Sequence, residues 1–372
     1  MTLRTKLSLF FGIFCVMALS NAIVPVLTSY GSASSLHGMI YAAYFLGAFV
    51  TTLPAGILSD RLGRIPPIRL GLAITVTSGL FLAVTRDPLL VLSLRFIEGI
   101  GAGLFVAATM SYVNSDPDHV RMSGWFMASM NAGLVAGLLM SGWLATFLSL
   151  PATGILLFSF LAVVPAIAAF FVREPEIPVT LYPVGTVSRF IIQFGWLWYS
   201  AIILIGITGV VTSLYPKLSG APSDILGIWI AGMSIATIAA VLIFSRTSLS
   251  PVPTIRCMAV LLGIAAIITY YSAAGFLLLG ALAGVVMIAQ MAFLATVPRY
   301  QGVLMGLFST TSYLGMALLP VLAGFIAGSM GFFVAFICLA AAAVTVAATI
   351  GFCSCTPESP GKSVHGAADN EQ

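Results

Sequence analysis

The chain has 372 residues, of which 60% are hydrophobic and 7% charged, with a formal net charge of +4 and a mean hydropathy of +1.12. This composition excludes a soluble globular domain. It also leaves no enzyme site, because His37, His119 and His365 are scattered and no cysteine or carboxylate cluster accompanies them.

A bilayer core about 30 Å thick is spanned by roughly 20 apolar residues in a helix. Twelve such runs follow one another, at about 7–29, 36–58, 66–85, 88–112, 122–146, 152–172, 190–215, 223–245, 254–272, 273–297, 303–326 and 330–352. They are continuous rather than short and alternating, which points to helices and not to a barrel. The expected fold class is all-α: an integral membrane protein with twelve transmembrane helices.

Run one follows Arg4 and Lys6, and Ala18-Leu19-Ser20-Asn21-Ala22 has the look of a weak signal-cleavage site. The apolar stretch continues through residues 23–27, so a retained helix is expected, offering Ser20 and Asn21 to the interior. Between runs two and three, Asp60, Arg61, Arg64 and Arg69 crowd into a chain otherwise nearly without charge, beside Gly56, Gly63, Pro66 and Pro67. Gly56 is expected to permit close backbone approach and Gly63 a tight turn, while the prolines suit the first turn of helix three. From the residues alone, Asp60 either pairs with Arg61 or Arg64 as a solvated cluster or latches onto the positive N-terminus of another helix.

Run four carries Arg95-Phe96-Ile97-Glu98-Gly99. Ten residues from Pro88, at about 1.5 Å each, bring Glu98 near the bilayer midplane. Arg95 lies three residues earlier on the same face. Each charge costs about 2.5–3.5 kcal/mol there, so the two are either a neutralised packing element or a functional site. In the second case Glu98 takes up a proton facing one side and releases it facing the other. Apolar surroundings favour a carboxylic acid and a nearby cation favours the carboxylate, a balance that can tip with conformation.

Run five carries Gly133, Gly137 and Gly142, a spacing that suits close helix packing. Run seven offers Gln193, Trp196, Trp198, Tyr199 and Thr208, and run ten offers Met287, Gln290 and Met291. Amides near midplane need partners, which makes Asn21 and Gln290 candidate lining residues or interhelical ties. The three aromatic residues at 196, 198 and 199 lie near a membrane face and suit interfacial anchors as well as lining. The five cysteines give neither a disulfide framework nor a metal site, and no cofactor is expected.

The chain also repeats. Ser59-Asp60-Arg61 with Pro67-Ile68-Arg69 is echoed by Ser245-Arg246 with Pro253-Thr254-Ile255-Arg256, and Arg121-x-x-Gly124 by Arg299-x-x-Gly302. The expected organisation is a six-helix half at 1–172, a cytoplasmic linker at 173–188, a second half at 189–352 and a disordered tail at 353–372. With the N-terminus inside, twelve of the fifteen basic residues fall on cytoplasmic segments. The positive-inside rule thus puts both termini in the cytoplasm of a cell membrane, and the net charge carries no message about nucleic acid.

Gly56-x-Leu58-Ser59-Asp60-Arg61-x-Gly63-Arg64, between helices two and three, resembles the loop signature of the major facilitator superfamily, with Ile65 where a further basic residue is usual. The Arg95 segment resembles that family's helix-four signature with Glu98 in place of glutamine. The run-five glycines resemble its antiporter signature, with Leu138 replacing proline and Ser141 a glycine. The resemblance implies two halves around a cavity lined by helices one, four, seven and ten, working by alternating access on a small solute as a monomer in the bilayer. It also implies a cytoplasmic gate in which Asp60 meets the start of helix eleven near Arg299. A proton-coupled exporter of an amphiphilic or organic solute is the expected activity, with symport uptake and a non-transporting sensor as the alternatives.

Overall fold

The computed structural model describes residues 5, 7–114, 119–172, 185–244, 247, 250–295 and 301–352; the side chains of several helix-end residues, Asp60 and Arg61 among them, lie outside that description. The chain enters through a π-helical turn, Leu7–Phe11, into α1 (Gly12–Ala22), which continues as a 3-10 helix, Val24–Tyr30. Next come α2 (Ser34–Leu62), α3 (Ile65–Val84), α4 (Pro88–Asn114), α5 (His119–Leu148) and α6 (Thr153–Ala169). A short helix, Thr186–Gln193, leads into α7 (Gly195–Ser219), α8 (Ser223–Phe244) and α9 (Pro251–Tyr271). The last three are α10 (Gly275–Ala295), α11 (Gln301–Met330) and α12 (Phe332–Thr349). Among the described residues there is no strand.

Ten of these helices are long and apolar enough to cross a bilayer, and the bent pair at the N-terminus makes an eleventh. Two spans depart from the uniform runs of the sequence. The first bends by 42° between its two helices. Pro25 stands in the first turn of the second piece, and its missing N–H ends the regular hydrogen-bond ladder. The sixth, α6, has only 17 residues, about 26 Å of helix. It stops where Arg69 reaches across from α3: its Nε–H donates to the Ala169 carbonyl at 3.0 Å and its Nη2 to the carbonyls of Phe170 and Val172 at 3.0 and 3.3 Å. A cation on the last carbonyls satisfies acceptors that a helix end leaves open.

Packing follows a pattern that recurs six helices later. In the first six, α2 lies on α4, α3 on α4 and α6, and α1 on α5 and α6. In the last six, α8 lies on α10, α9 on α10 and α12, and α7 on α11 and α12. The two sets meet along α2–α11 and α5–α8. Lipid tails are as apolar as these side chains, so close packing rather than hydrophobic exclusion holds such seams together. Glycines make the approach possible. A Cβ at Gly47 would run into the Phe96 carbonyl and one at Gly99 into the Tyr44 carbonyl, which locks α2 against α4. Gly280 of α10 meets the Met233 carbonyl of α8 in the same way, and the Thr237 hydroxyl adds a bond to the Gly280 carbonyl at 2.9 Å.

By antiparallel alternation, one end of the bundle carries Arg64, Arg69, Arg121 and Arg256, and the other carries Arg86 and Lys217. Of the linker expected at 173–188, residues 186–188 already belong to the short helix; residues 173–184 and 353–372 lie outside the described residues.

Candidate functional site

The register of α4 is fixed at its start. Asp87 accepts the backbone N–H of Leu90 through Oδ1 at 2.9 Å, capping the helix just before Pro88. From there the helix carries Arg95 and Glu98 inward, and both side chains are buried, 1% and 0% exposed. Arg95 Nη1 donates to Glu98 Oε2 at 2.8 Å. Its Nη2 donates to the Ser20 carbonyl of α1 at 3.0 Å. Its Cζ stands 4.7 Å from the centre of the Tyr44 ring of α2, within range of a cation–π contact. Three helices therefore hold one guanidinium. Arg95 Nε and Glu98 Oε1 are buried without a hydrogen-bond partner, so the pair is neutral overall but incompletely satisfied. That combination is costly in a low-dielectric interior and sensitive to any change of neighbours.

The other two interior candidates lie elsewhere. Asn21 Nδ2 donates to the Leu134 carbonyl of α5 at 3.4 Å, a tie between helices one residue from the Ser20 carbonyl that Arg95 uses. Gln290 of α10 is fully buried and donates through Nε2 to Ser200 Oγ of α7 at 3.0 Å, while its Oε1 has no partner. The aromatic residues opening α7 build a corner. Trp198 Nε1–H donates to the Phe190 carbonyl at 3.0 Å, and the Tyr199 hydroxyl lies 2.6 Å from Thr345 Oγ1 of α12.

At the arginine-rich end, Gly63 closes α2 with φ of +92°, a conformation that glycine adopts without strain. Pro66 and Pro67 occupy the first turn of α3. Arg64 is buried and donates through Nε to Ser111 Oγ near the end of α4 at 2.8 Å, tying the turn to the helix that carries Arg95 and Glu98. The close approach expected at Gly56 is not seen among the described residues, where a Cβ would meet nothing within 4 Å. The side chains of Asp60 and Arg61, and residue Arg299, lie outside the described residues, and with them the proposed gate contact.

In α5 the three glycines serve two seams. Gly133 and Gly137 receive the Phe14 and Ala18 carbonyls of α1, and Gly142 receives the Ser223 carbonyl at the start of α8. The Ser141 hydroxyl donates to the Ala22 carbonyl at the bend of the first span. Leu138, where the family signature has proline, is fully buried, and its carbonyl packs on Gly227 of α8.

Sequence reasoning missed Tyr44, the Ser20 carbonyl and Tyr313. The available signal was the pair Tyr41 and Tyr44 in an apolar run, three residues apart as Arg95 and Glu98 are.

A family model described as Major Facilitator Superfamily matches residues 7–218. Quinolone resistance protein NorA of Staphylococcus aureus is 27% identical over 144 residues, 37% of this chain and 37% of that protein. The multi-drug resistance efflux pump PmrA of Streptococcus pneumoniae serotype 4 is 33% identical over 129 residues, 33% of this chain and 32% of the pump. The matches thus span about a third of these relatives' length. Among solved structures, a variant of the nucleoside transporter NupG is similar with a TM-score of 0.75 at 15% identity, covering 94% of this chain and 100% of that one. A bacterial homologue of the human lysosomal transporter Spinster, inward-facing and occupied, gives 0.73 at 15% identity, covering 95% and 96%.

Proposed function

The chain belongs to the major facilitator superfamily, and we propose that it is a secondary active carrier that exports a small amphiphilic organic solute in exchange for protons. Two six-helix halves, α1–α6 and α7–α12, rock against each other along α2–α11 and α5–α8, with both chain termini in the cytoplasm. The repeated helix pairing supports this reading, as does the arginine-rich end. The printed names of the two distant relatives, a quinolone resistance protein and an efflux pump, support export.

The observation that carries the reading is the Arg95–Glu98 pair, fully buried and held by α1 and α2 as well as α4. While Arg95 stands against it, Glu98 is a tolerated carboxylate. A motion that draws the guanidinium away leaves a buried charge without its counter-ion, a penalty of about 3–5 kcal/mol. Taking up a proton removes that penalty. Alternation between the paired and separated states thereby couples the proton to the conformational cycle, and substrate competes for the same interior.

The test is thermal stabilisation of the purified protein across a library of drugs and metabolites, read at two pH values. A ligand at about 100 times its dissociation constant adds about 2.7 kcal/mol to the folded state. Amphiphilic compounds are expected to stabilise in a pH-dependent way in the wild type and without pH dependence in Glu98→Gln. Equal pH dependence in both proteins would return Glu98 to a packing role.

A further inference from the structure

The Tyr44 ring does more than fill space beside the buried pair. It stands 4.7 Å from Arg95 Cζ, and its carbonyl is pressed against Gly99, next in the chain to Glu98. Ser20 of α1 gives its carbonyl to Arg95 Nη2 at 3.0 Å. The Tyr44 ring and the Ser20 carbonyl thus hold the guanidinium from outside α4.

Its neighbour Phe45 carries the contact outward. The Phe45 ring lies 5.1 Å from Tyr44 at 86°, 4.9 Å from Tyr41, and 6.1 Å from Tyr313 of α11. The α2–α11 seam joins the first six helices to the last six. It is tight near its Arg86 end, where Gly38 meets the Pro320 carbonyl and Gly324 meets Ser34 and Ser35. A shift of α11 along α2 cannot leave Phe45–Tyr313 unchanged, and Phe45 abuts the residue that positions Arg95.

We propose that Tyr44 is the positioning residue that holds Arg95 against Glu98, and that Phe45 and Tyr313 tie this hold to the α2–α11 seam. The inference rests on the reading of Glu98 as the proton site. The titratable groups that face the pair among the described residues are Tyr41 and Tyr44 of α2 and Tyr30 after α1, while Tyr313 of α11 reaches it only through Phe45 and Tyr44. Tyr44 is the one whose ring lies over the guanidinium.

The probe is the proton itself. Infrared difference spectra of the full-length protein in lipid are recorded across pH, and the Glu98 carboxylic-acid band is identified by its loss in Glu98→Gln. Tyr44→Phe keeps the ring and is expected to leave the band's midpoint within about 0.3 pH units of wild type. Tyr44→Leu fills similar space without a ring quadrupole, and its band is expected to appear at a pH higher by about one unit. Tyr313→Leu, remote from the pair, is expected to shift the midpoint in the same direction by a smaller amount, and it serves should Tyr44→Leu not fold. If Glu98→Gln removes a band whose midpoint is the same in wild type, Tyr44→Leu and Tyr313→Leu, the positioning role is wrong and the proton site stands. If Glu98→Gln removes no titrating band, the proton site fails and this inference with it.

Discussion

Arg69 of α3 and Arg256 of α9 do the same work in the two sets of helices. Arg69 Nε–H donates to the Ala169 carbonyl at the end of α6 at 3.0 Å, and Arg256 Nε–H to the Ala347 carbonyl near the end of α12 at 3.1 Å. Arg69 lies two residues after Pro67 and Arg256 three after Pro253 in the echoed segments, and each brings a cation to the negative end of a helix dipole. The echo in the sequence is thus matched by an echo in contacts.

This equivalence makes Arg69→Gln and Arg256→Gln a matched test. Charge-assisted bonds to terminal carbonyls contribute about 1.5–3 kcal/mol where buried, and less here because the sites are partly open. Each variant is expected to melt lower than wild type, by similar amounts, in a thermal unfolding series in one detergent. A loss in only one of the two would mean that the helix ends are stabilised differently.

The buried pair gives a sharper energetic prediction. Arg95→Met leaves a desolvated carboxylate without its counter-ion and is expected to destabilise by about 3–5 kcal/mol. Adding Glu98→Gln to that variant removes the uncompensated charge and is expected to recover most of the loss. The double-mutant cycle measures the coupling directly. Simple additivity would show that the two side chains do not act as a pair.

The glycines sort into two kinds. Gly99→Ala drives a methyl into the Tyr44 carbonyl and is expected to cost about 1–3 kcal/mol or to displace α2 from α4. Gly56→Ala meets no atom of the described residues within 4 Å, inside a helix, and is expected to be neutral or to stabilise by up to about 1 kcal/mol. Melting temperatures of the two variants decide this, and a marked loss at Gly56 would show that the site closes in another state of the molecule.

What was readable in the sequence divides along physical lines. Helix order was legible because a spanning helix must be long and apolar, and the turn at residues 272–274 falls at the boundary between runs nine and ten. The Arg95–Glu98 contact was legible because three residues along one helix fix a common face. The bend at the end of α1 was not, since a proline inside an apolar run marks a break without giving its angle. Tyr44 was hidden for a different reason: its position over Arg95 depends on the register of α2 against α4, which Gly47 and Gly99 set by contact with backbone carbonyls. Gly56 marks a further limit, since a glycine in sequence looks the same whether it faces a neighbour or open space.

The most direct test of the central claim is proton-driven accumulation by reconstituted protein, using an amphiphile identified by thermal stabilisation, with Glu98→Gln beside wild type. The account predicts that wild type accumulates the compound against its gradient when a pH difference is imposed. Glu98→Gln is expected to lose that accumulation at least tenfold while still exchanging labelled for unlabelled compound. Full pH-driven accumulation by Glu98→Gln would contradict the claim that the buried Arg95–Glu98 pair couples protons to transport.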